Sequence, residues 1–332
     1  MNARGPLGPL RFRSWIAGRL GLHFDDGKLD FLADVLSRRA HASGREPIRY
    51  LDRLESADPE PELRSLAPEL TVPETYFFRH MEQFRAFSEV ALVEAARRSG
   101  GVTPLRILSA GCASGEEPYS LAMSVHERGI DLPRGASIRA VDINADMLEK
   151  ARRGIYSSWS LRETPPDMQR RWFHGSGRDF ELDGAIRAAV SFREANLAQD
   201  HSDLWTALSY DVIFCRNVLM YFTPEAAQAL VARLTRALVP GGHLFLGHAE
   251  TLRGLSSSYH LCHTHGTFYY QRKAADSIDA AHPFGAADSG RGAGANHGAA
   301  LLAEGGDPGA ALPIEADGAW AATWLETIRQ TS

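Results

Sequence analysis

From Leu105 onward, short apolar runs alternate along the chain with stretches of helical periodicity. Strands that alternate with helices in this way usually form a parallel sheet with helices packed on both faces. The alternation therefore predicts an α/β fold built on one main sheet. The predicted strands are Leu105–Ala110, Ile138–Asp142, Asp211–Cys215 and His243–Gly247, and the predicted helices between them are Glu116–Arg128, Ala145–Arg152 and Pro224–Leu238.

The segments before and within this region show other patterns. Residues 1–80 contain short apolar repeats at helical spacing, separated by prolines, and this predicts a helical N-terminal domain. A second domain is predicted over residues 81–273, and it opens with a helix from about Glu82 to Arg98. At about residues 156–190, strand-like pieces between glycine turns predict a small antiparallel β-insertion, after which the chain returns to the main sheet.

The C-terminal segment has a low-complexity composition. Thirteen alanines and eight glycines lie within residues 274–313, and such a segment buries too little apolar surface to offset its ordering entropy. We expect a disordered linker there. Residues 314–332 regain a helical pattern, because Trp320, Trp324 and Ile328 share one face of a short predicted helix. This tail could dock on a partner, fold back on the catalytic body or have no role.

Composition limits the classes of function. The net charge is −5, but residues 274–332 hold eight acids and two arginines, so the rest of the chain is nearly neutral. A near-neutral body argues against a non-specific nucleic-acid binder. Three cysteines leave one over in any disulfide pairing, and no stretch approaches the roughly 18 apolar residues of a membrane span. We therefore predict a cytoplasmic protein without direct membrane insertion.

The clearest ligand-binding signal is a glycine turn between a predicted strand and a predicted helix. Gly111 and Gly115 follow the strand Leu105–Ala110, and ligands of open α/β sheets bind at the carboxyl ends of strands. The spacing of these glycines differs from the G-x-G-x-x-G of dinucleotide-binding proteins. Asp142, at the end of the next strand, can accept hydrogen bonds from two ribose hydroxyls. Together these features favour S-adenosylmethionine over NAD or ATP.

Each of these residues also has a purely structural interpretation. Ser114 and Glu117 have the spacing of a helix capping box. Asp142 could cap the helix that follows it, and Asn196, after the predicted strand Val190–Glu194, could be an ordinary turn residue. The local patterns leave these alternatives open.

Three sequence blocks, followed by a shorter fourth, carry a family resemblance. The blocks are Glu74–Arg79 followed by Phe84, Gly111–Ser120 with Val141–Ile143 and Lys150–Tyr156, Asp211–Phe222, and Gly247–Glu250. Over about residues 12–272 they resemble the CheR family of chemoreceptor glutamate O-methyltransferases. The Phe-Phe-Arg and Cys-Arg-Asn-Val blocks are typical of this family rather than of methyltransferases in general.

The resemblance implies a class I (Rossmann-like) S-adenosylmethionine-dependent methyltransferase sheet, a helical N-terminal domain and a β-subdomain that some members use to bind a receptor peptide. It implies methyl transfer to glutamates on the cytoplasmic domain of a methyl-accepting chemoreceptor, with S-adenosyl-L-homocysteine as the product. Tyr221 falls where the family has a tyrosine beside the methyl group, whereas Pro73 replaces a frequent asparagine contact and offers no side-chain hydrogen bond. The family's cofactor contacts correspond to Thr75, Arg79, Glu117, Asp142, Asn196, Leu197, Arg216 and Asn217.

The charges of the two substrates predict the chemistry. A glutamate with a pKa of about 4.3 is already ionised at neutral pH, so methyl transfer to it needs no general base. The main tasks of such an enzyme are alignment and exclusion of water. We predict Arg79 and Tyr221 as the catalytic residues near the reacting centre. Arginine can hold a carboxylate through two parallel hydrogen bonds, so Arg79 could hold either the acceptor glutamate or the methionine carboxylate of the cofactor.

Several other signals have competing interpretations. The potential zinc ligands between His260 and His265 lack the usual spacing, so we predict no metal site. A basic stretch is either a solvated face or, as in the family, a surface for the acidic region of the receptor. Its members are Arg38, Arg39, Arg45, Arg49 and Arg53.

Two alternative functions fit the same fold. One is a non-catalytic cofactor-binding scaffold, and the joint presence of Arg79, Asp142, Arg216, Asn217 and Tyr221 argues against it. The other is a methyltransferase for a small-molecule carboxylate. The N-terminal helices and the β-insertion favour a protein substrate instead.

Overall fold

The computed structural model describes residues 7–56, 60–100, 102–132 and 134–274. Apart from Ala274, the predicted linker at 274–313 and the predicted tail helix at 314–332 lie outside the described residues. None of the helices in the described part of the chain combines the length and the apolarity required to span a bilayer.

Ten strands and eleven α-helices make up this part of the chain. The strands are β1 (Leu105–Ala110), β2 (Ala136–Asp142), β3 (Ile155–Tyr156), β4 (Phe173–Ser176), β5 (Asp179–Leu182), β6 (Val190–Glu194), β7 (Tyr210–Cys215), β8 (Leu238–Leu246), β9 (Tyr259–Thr264) and β10 (Thr267–Arg272). The helices are α1 (Leu7–Leu20), α2 (Leu29–Ala42), α3 (Pro47–Ser56), α4 (Glu60–Leu70), α5 (Met81–Ala86), α6 (Leu92–Ser99), α7 (Glu116–Glu127), α8 (Ala145–Arg153), α9 (Pro166–Trp172), α10 (Gly184–Ala188) and α11 (Pro224–Ala237).

Seven of the strands form the central sheet, in the order β6-β2-β1-β7-β8-β10-β9. The neighbours from β6 to β8 are all parallel, and β10 pairs antiparallel with both β8 and β9. The chain runs outward from β1 in one direction through β2 and returns on the other side through β7. The strand order therefore reverses between β1 and β7, and such a switch point opens a crevice at the carboxyl ends of the strands.

Both faces of the sheet are buried. Along β1, Leu105 and Ile107 belong to the core on one face, and Leu108 and Ala110 belong to the core on the other. This alternation follows from the two-residue repeat of a strand. Helices α5, α6 and α7 cover the first face, and α11 covers the second. The predicted α/β fold class is confirmed.

The predicted strands and helices are present, with some shifted boundaries. The helix predicted from about Glu82 to Arg98 is continuous from α5 to α6 but contains a π-helical turn at Phe87–Ala91. The helix predicted to reach Leu238 ends at Ala237, and β8 starts at once, five residues before its predicted start. Trp172 is the last residue of α9, and its buried ring contacts His126 of α7 at a centroid distance of 4.7 Å.

The β-insertion is a three-stranded antiparallel sheet in the order β3-β5-β4. It packs onto the segment before α5 through Phe77, whose ring makes edge contacts with Tyr156 and Phe173 at centroid distances of 4.8 and 4.9 Å. Strand β6 then leaves the insertion and pairs with β2, as predicted. The insertion thereby holds the residues just before α5 against the main sheet.

The N-terminal helices share a core of their own and also touch the sheet region. Phe12, Ile16, Leu32 and Leu36 are fully buried within that core. Two arginines of the basic stretch are paired with acids of α4: Arg38 with Glu69 and Arg39 with Glu62, at 2.7 and 2.6 Å. The division of the chain at residue 80 into two domains stays a prediction.

Candidate active site

A cleft of two connected halves opens at the carboxyl ends of β1, β2 and β7. The apolar half encloses about 670 Å³ and the polar half about 770 Å³ of empty space, including space open to solvent. Val72, Gly111, Asn217 and Tyr221 line both halves, so the two spaces are continuous. Most of the predicted site residues meet in this cleft, although they come from distant parts of the sequence.

The predicted site residues divide between the halves according to their chemistry. Asp142, Asn196 and Leu197 line the apolar half together with leucines of the N-terminal helices. The polar half is lined by Thr75, Arg79, Glu117 and Arg216, among others. Gly111, Asn217 and Tyr221 lie at the junction.

Gly115 lines neither half. It precedes α7 with a φ of +94°, and a Cβ atom there would lie 2.8 Å from the Cβ atom of Ala151. Only glycine combines this left-handed conformation with such a close approach. Gly115 therefore acts through the shape of the turn between β1 and α7.

Asp142 is held at the end of β2 with its carboxylate facing the turn after β1. Its two oxygens accept from the backbone N–H groups of Ala113 and Asn144, both at 2.8 Å. The cap of α8 is Asn144, which accepts from Met147 N at 3.2 Å, so the interpretation of Asp142 as that cap is wrong. Burial raises the pKa of Asp142, against the opposing effect of these backbone donors. Each carboxylate oxygen has a second lone pair, which leaves acceptor capacity for a ligand.

Arg216 and Glu117 form a buried ion pair at the polar half. Arg216 Nη1 lies 3.4 Å from Glu117 Oε2, and Ser109 donates to Glu117 Oε1 at 2.7 Å. Burial raises the pKa of Glu117 and lowers the pKa of Arg216, and each charge partly offsets this effect on the other. The Ser114 hydroxyl donates to Glu116, not to Glu117, and Gly115 is the residue before α7. The capping-box interpretation of Glu117 is therefore wrong.

Two guanidinium groups supply unused donors in the polar half. Arg216 donates to the carbonyl oxygen of Arg79 at 2.6 Å, and Arg79 donates to the carbonyl oxygen of Glu74 at 3.1 Å. The Nε atoms of both arginines are buried and have no hydrogen-bond partner. Both arginines line the polar half, so their positive charges make this half suited to an anionic ligand.

The side chain of Asn196 stabilises the turn after β6, in agreement with the interpretation of Asn196 as an ordinary turn residue. Its amide accepts from Ala198 N and donates to the carbonyl oxygen of Arg19, both at 2.9 Å. The second bond ties the turn to the end of α1. Asn196 and the adjacent Leu197 thus shape the apolar half while the Asn196 amide is engaged within the protein.

Glu250, which was not predicted, supports the site from outside the cleft. Its carboxylate accepts from the backbone N–H groups of Gly247, Asn217 and Val218 at 2.7, 2.7 and 2.8 Å. These bonds fix the loop after β7, in which Asn217 has a φ of +57° and which continues to Tyr221. The block Gly247–Glu250 was the sequence signal for this residue. An acid that follows a buried strand lies at the edge of the sheet where the cleft opens.

The similarity to known proteins agrees with this geometry. A family model described as "CheR methyltransferase, SAM binding domain" matches residues 73–268, which is more than half of the chain. The chain belongs to the CheR methyltransferase family. Membership confirms the predicted family and the predicted cofactor, S-adenosylmethionine.

Relatives named chemotaxis protein methyltransferase are similar over most of their length. The chain is 34% identical to Chemotaxis protein methyltransferase 2 of Vibrio cholerae, over 76% of this chain and 88% of that protein. It is 31% identical to Chemotaxis protein methyltransferase Cher2 of Pseudomonas putida, over 79% of this chain and 97% of that protein. A third relative, Chemotaxis protein methyltransferase 1 of Pseudomonas aeruginosa, is 36% identical over 61% of this chain and 75% of its own length.

Proposed function

We propose that this enzyme transfers the methyl group of S-adenosylmethionine to glutamate side chains on the cytoplasmic domain of a methyl-accepting chemoreceptor. The products are glutamate methyl esters and S-adenosyl-L-homocysteine. The observation that carries the proposal is a single cleft whose apolar half is edged by Asp142 and whose polar half is lined by the guanidinium groups of Arg79 and Arg216. The apolar half suits an adenosyl group, and the polar half suits the charged amino-acid end of the cofactor and an anionic acceptor.

The cofactor residues follow the same division. Asp142 accepts hydrogen bonds from the ribose hydroxyls, because each of its oxygens keeps a free lone pair. The adenine ring lies in the apolar half, where Asn196 and Leu197 contribute the turn after β6. The turn from Gly111 to Gly115 lets the backbone approach the ligand closely.

The amino-acid end of the cofactor lies in the polar half. Arg216 and Glu117 form a fixed pair of opposite charges there, which suits a carboxylate and an ammonium group. Thr75 and Asn217 line the same space. Arg216 is only 6% exposed, so it is placed at the inner wall of the cleft.

The acceptor glutamate enters beside Arg79 and Tyr221. Arg79 orients the acceptor carboxylate through its guanidinium group, and Tyr221, at the junction of the two halves, packs beside the transferred group. The bound cofactor supplies an electrophilic methyl group. The acceptor is ionised at neutral pH, so the protein side chains orient it and exclude water but need not remove a proton.

The experiment incubates the purified protein with methyl-labelled cofactor and chemoreceptor-containing membranes. We expect label on the receptor that base releases as methanol, because a carboxyl ester is hydrolysed and a methylated amine is not. Label on the receptor that resists base would contradict the proposal. So would an unlabelled receptor when the protein is folded and binds the cofactor.

The Arg79→Ala variant tests the position of the acceptor. We expect kcat to fall by about a hundredfold or more, since a charge-assisted contact near the reacting atoms is lost. The Kd for S-adenosyl-L-homocysteine should change little. If that Kd rises by the same factor as kcat falls, Arg79 belongs to the amino-acid end of the cofactor instead.

The C-terminal tail is proposed to dock on a partner of the same signalling complex. Trp320 and Trp324 are four residues apart, so they would share one face of the predicted helix, and an apolar face of this kind is suited to a partner surface. Deletion of residues 275–332 is expected to weaken association with receptor-containing membranes and to leave the Kd for S-adenosyl-L-homocysteine unchanged. The proposed location of the enzyme, in the cytoplasm, follows from that of its substrate domain.

A further inference from the structure

Beside the polar half of the cleft, an arginine is held between two aromatic rings. The guanidinium carbon of Arg162 lies 3.6 Å from the centre of the Tyr76 ring and 4.2 Å from the centre of the Trp159 ring. Its Nη1 also donates to the carbonyl oxygen of Trp159 at 2.7 Å. Because Tyr76 itself lines the polar half, this stack extends the wall of the cleft outward.

The loop that carries the stack is fixed to the catalytic body. The backbone N–H of Phe77 donates to the carbonyl oxygen of Ser160 at 2.9 Å. The Ser160 hydroxyl donates to the buried carboxylate of Glu116 at 3.1 Å. These bonds fix Trp159 and Arg162 in the free protein. Binding of a partner would therefore cost little conformational entropy in this loop.

Trp159 is the exposed member of the stack, whereas Tyr76 and Arg162 are partly buried. The side chain of Trp159 is 66% exposed, so it contributes little to the core. Its hydrogen bond goes to the carbonyl oxygen of Trp159, and among the described residues Arg162 forms no ion pair with a carboxylate. A guanidinium has five N–H donors in a planar fork, and most of those of Arg162 remain free for a carboxylate.

We propose that Tyr76, Trp159 and Arg162 form a receptor-recognition surface at the entrance to the cleft. Arg162 binds a second carboxylate on the acidic receptor segment whose acceptor glutamate lies in the polar half, and Trp159 packs against the same segment. Tryptophan, tyrosine and arginine are the residue types that contribute most to interface affinity, and here they occur together, ordered in advance. The inference rests on the proposed function, because it assumes an acidic protein substrate.

The test measures steady-state methyl transfer by the full chain to chemoreceptor-containing membranes. Arg162→Ala and Trp159→Ala are each expected to raise the KM for the receptor by about tenfold, as a side chain central to an interface does. The Kd for S-adenosyl-L-homocysteine should stay within about twofold of the wild-type value. Arg162→Lys keeps the charge but loses the planar fork, so its KM should lie between those of the wild type and Arg162→Ala.

Arg253→Ala is the matched control, because Arg253 is exposed and lines neither half of the cleft. Its KM should equal that of the wild type. If the wild-type enzyme labels the receptor and both alanine variants keep a KM within about twofold, the inference fails while the proposed function stands. A rise in the Kd for S-adenosyl-L-homocysteine that accounts for the whole change in KM would also overturn it. If the wild-type enzyme itself gives no base-labile label, both proposals fail.

Discussion

At the scale of single residues, Glu250 shows how a side chain outside the cleft can determine the shape of the cleft. Its two oxygens accept from three backbone N–H groups within 2.8 Å, and a fourth, that of Met220, lies at 3.4 Å. These donors belong to the loops after β7 and β8, which would otherwise have no common anchor. The loop after β7 carries both Asn217 and Tyr221, so their positions depend on this carboxylate.

We predict that Glu250→Ala lowers the free energy of unfolding by about 2–4 kcal/mol, because several backbone donors lose their partner. The variant should also bind S-adenosyl-L-homocysteine more weakly, since Asn217 is no longer fixed. Glu250→Gln keeps one acceptor oxygen, so its stability and its affinity should lie between those of the wild type and Glu250→Ala. Urea unfolding and calorimetry measure both effects. A Glu250→Ala protein with wild-type stability and affinity would show that the loop holds its shape without the carboxylate.

His80 gives a prediction about pH. It precedes α5 with a φ of +62°, and its ring stacks on His248 with a centroid distance of 3.9 Å. Burial, followed by the nearby charge of Arg216, lowers the pKa of His80 to about 4. An unfolded histidine with a pKa of about 6.5 takes up a proton on acidification before the folded one does, so this group destabilises the fold as pH falls from about 6.5 towards 4.

The His80→Asn variant should reduce this pH dependence, and asparagine tolerates the left-handed backbone at the position. The loss of stability between pH 7 and pH 4.5 should be smaller than in the wild type by about 1 kcal/mol, a value discounted for the partial exposure of the ring. Urea unfolding at the two pH values provides the comparison. Equal losses in the two proteins would mean that His80 protonates as easily in the folded state as in the unfolded one.

At the scale of elements, the N-terminal helices form one wall of the cofactor cleft. Leu20, Leu22 and Leu70 line the apolar half. The connection after α1 is tied to the loop before α11: His23 N donates to the carbonyl oxygen of Tyr221, and Thr223 N donates to that of Gly21, both at 2.8 Å. The N-terminal region therefore closes the apolar half of the cleft.

Gly21→Ala tests this contact between elements. Gly21 has a φ of +72°, and a Cβ atom there would lie 2.8 Å from Ala198 and 2.9 Å from Phe222. We predict a loss of about 1–3 kcal/mol in the free energy of unfolding and a weaker affinity for S-adenosyl-L-homocysteine.

Gly18→Ala is the matched control, because Gly18 lies within α1 with nothing within 4 Å of the added atom. It should keep wild-type affinity and gain slightly in stability, as alanine favours a helix. If Gly21→Ala and Gly18→Ala bind S-adenosyl-L-homocysteine with equal affinity, the N-terminal wall does not contribute to cofactor binding.

The sequence predicts elements well where one local pattern decides them. Strands β1 and β7 are apolar runs buried on both faces. Thr223 before Pro224 marks the start of α11, where its side chain accepts from Ala226 N. The leucine wall of the cleft could not be predicted, because Leu20 and Leu70 look like ordinary core residues of the N-terminal helices. Only the long-range contacts between α1 and the loop before α11 give them a second role.

The residues of the site could be predicted from the sequence, but their contacts with one another could not. Asp142, Arg79 and Arg216 were predicted from strand ends and from the family blocks, and they meet in one cleft. The partners of Glu117 could not be predicted, because Ser109 and Arg216 reach it only once β1 and β7 are paired. For Asn196, the ordinary turn interpretation describes its side chain correctly, although the residue still lines the cleft.

At the scale of the whole molecule, three parts converge on one space. The main sheet supplies Asp142 and the loop with Tyr221, the N-terminal helices supply the apolar wall, and the β-insertion holds the segment that carries Thr75 and Arg79. We propose that this single cleft binds S-adenosylmethionine, with the adenosyl group and the amino-acid end on opposite sides of the Gly111 turn. The proposals for the acceptor and the receptor depend on it.

Calorimetric titration of the folded protein with S-adenosyl-L-homocysteine tests this claim most directly. We predict one binding site per chain in the wild type and an affinity about tenfold weaker or more in Asp142→Asn, which loses a charged acceptor of the ribose hydroxyls. Asp146→Asn, a change at an exposed acid of α8, should bind like the wild type. A folded wild-type protein that releases no heat of binding, or an Asp142→Asn protein with unchanged affinity, would contradict the account.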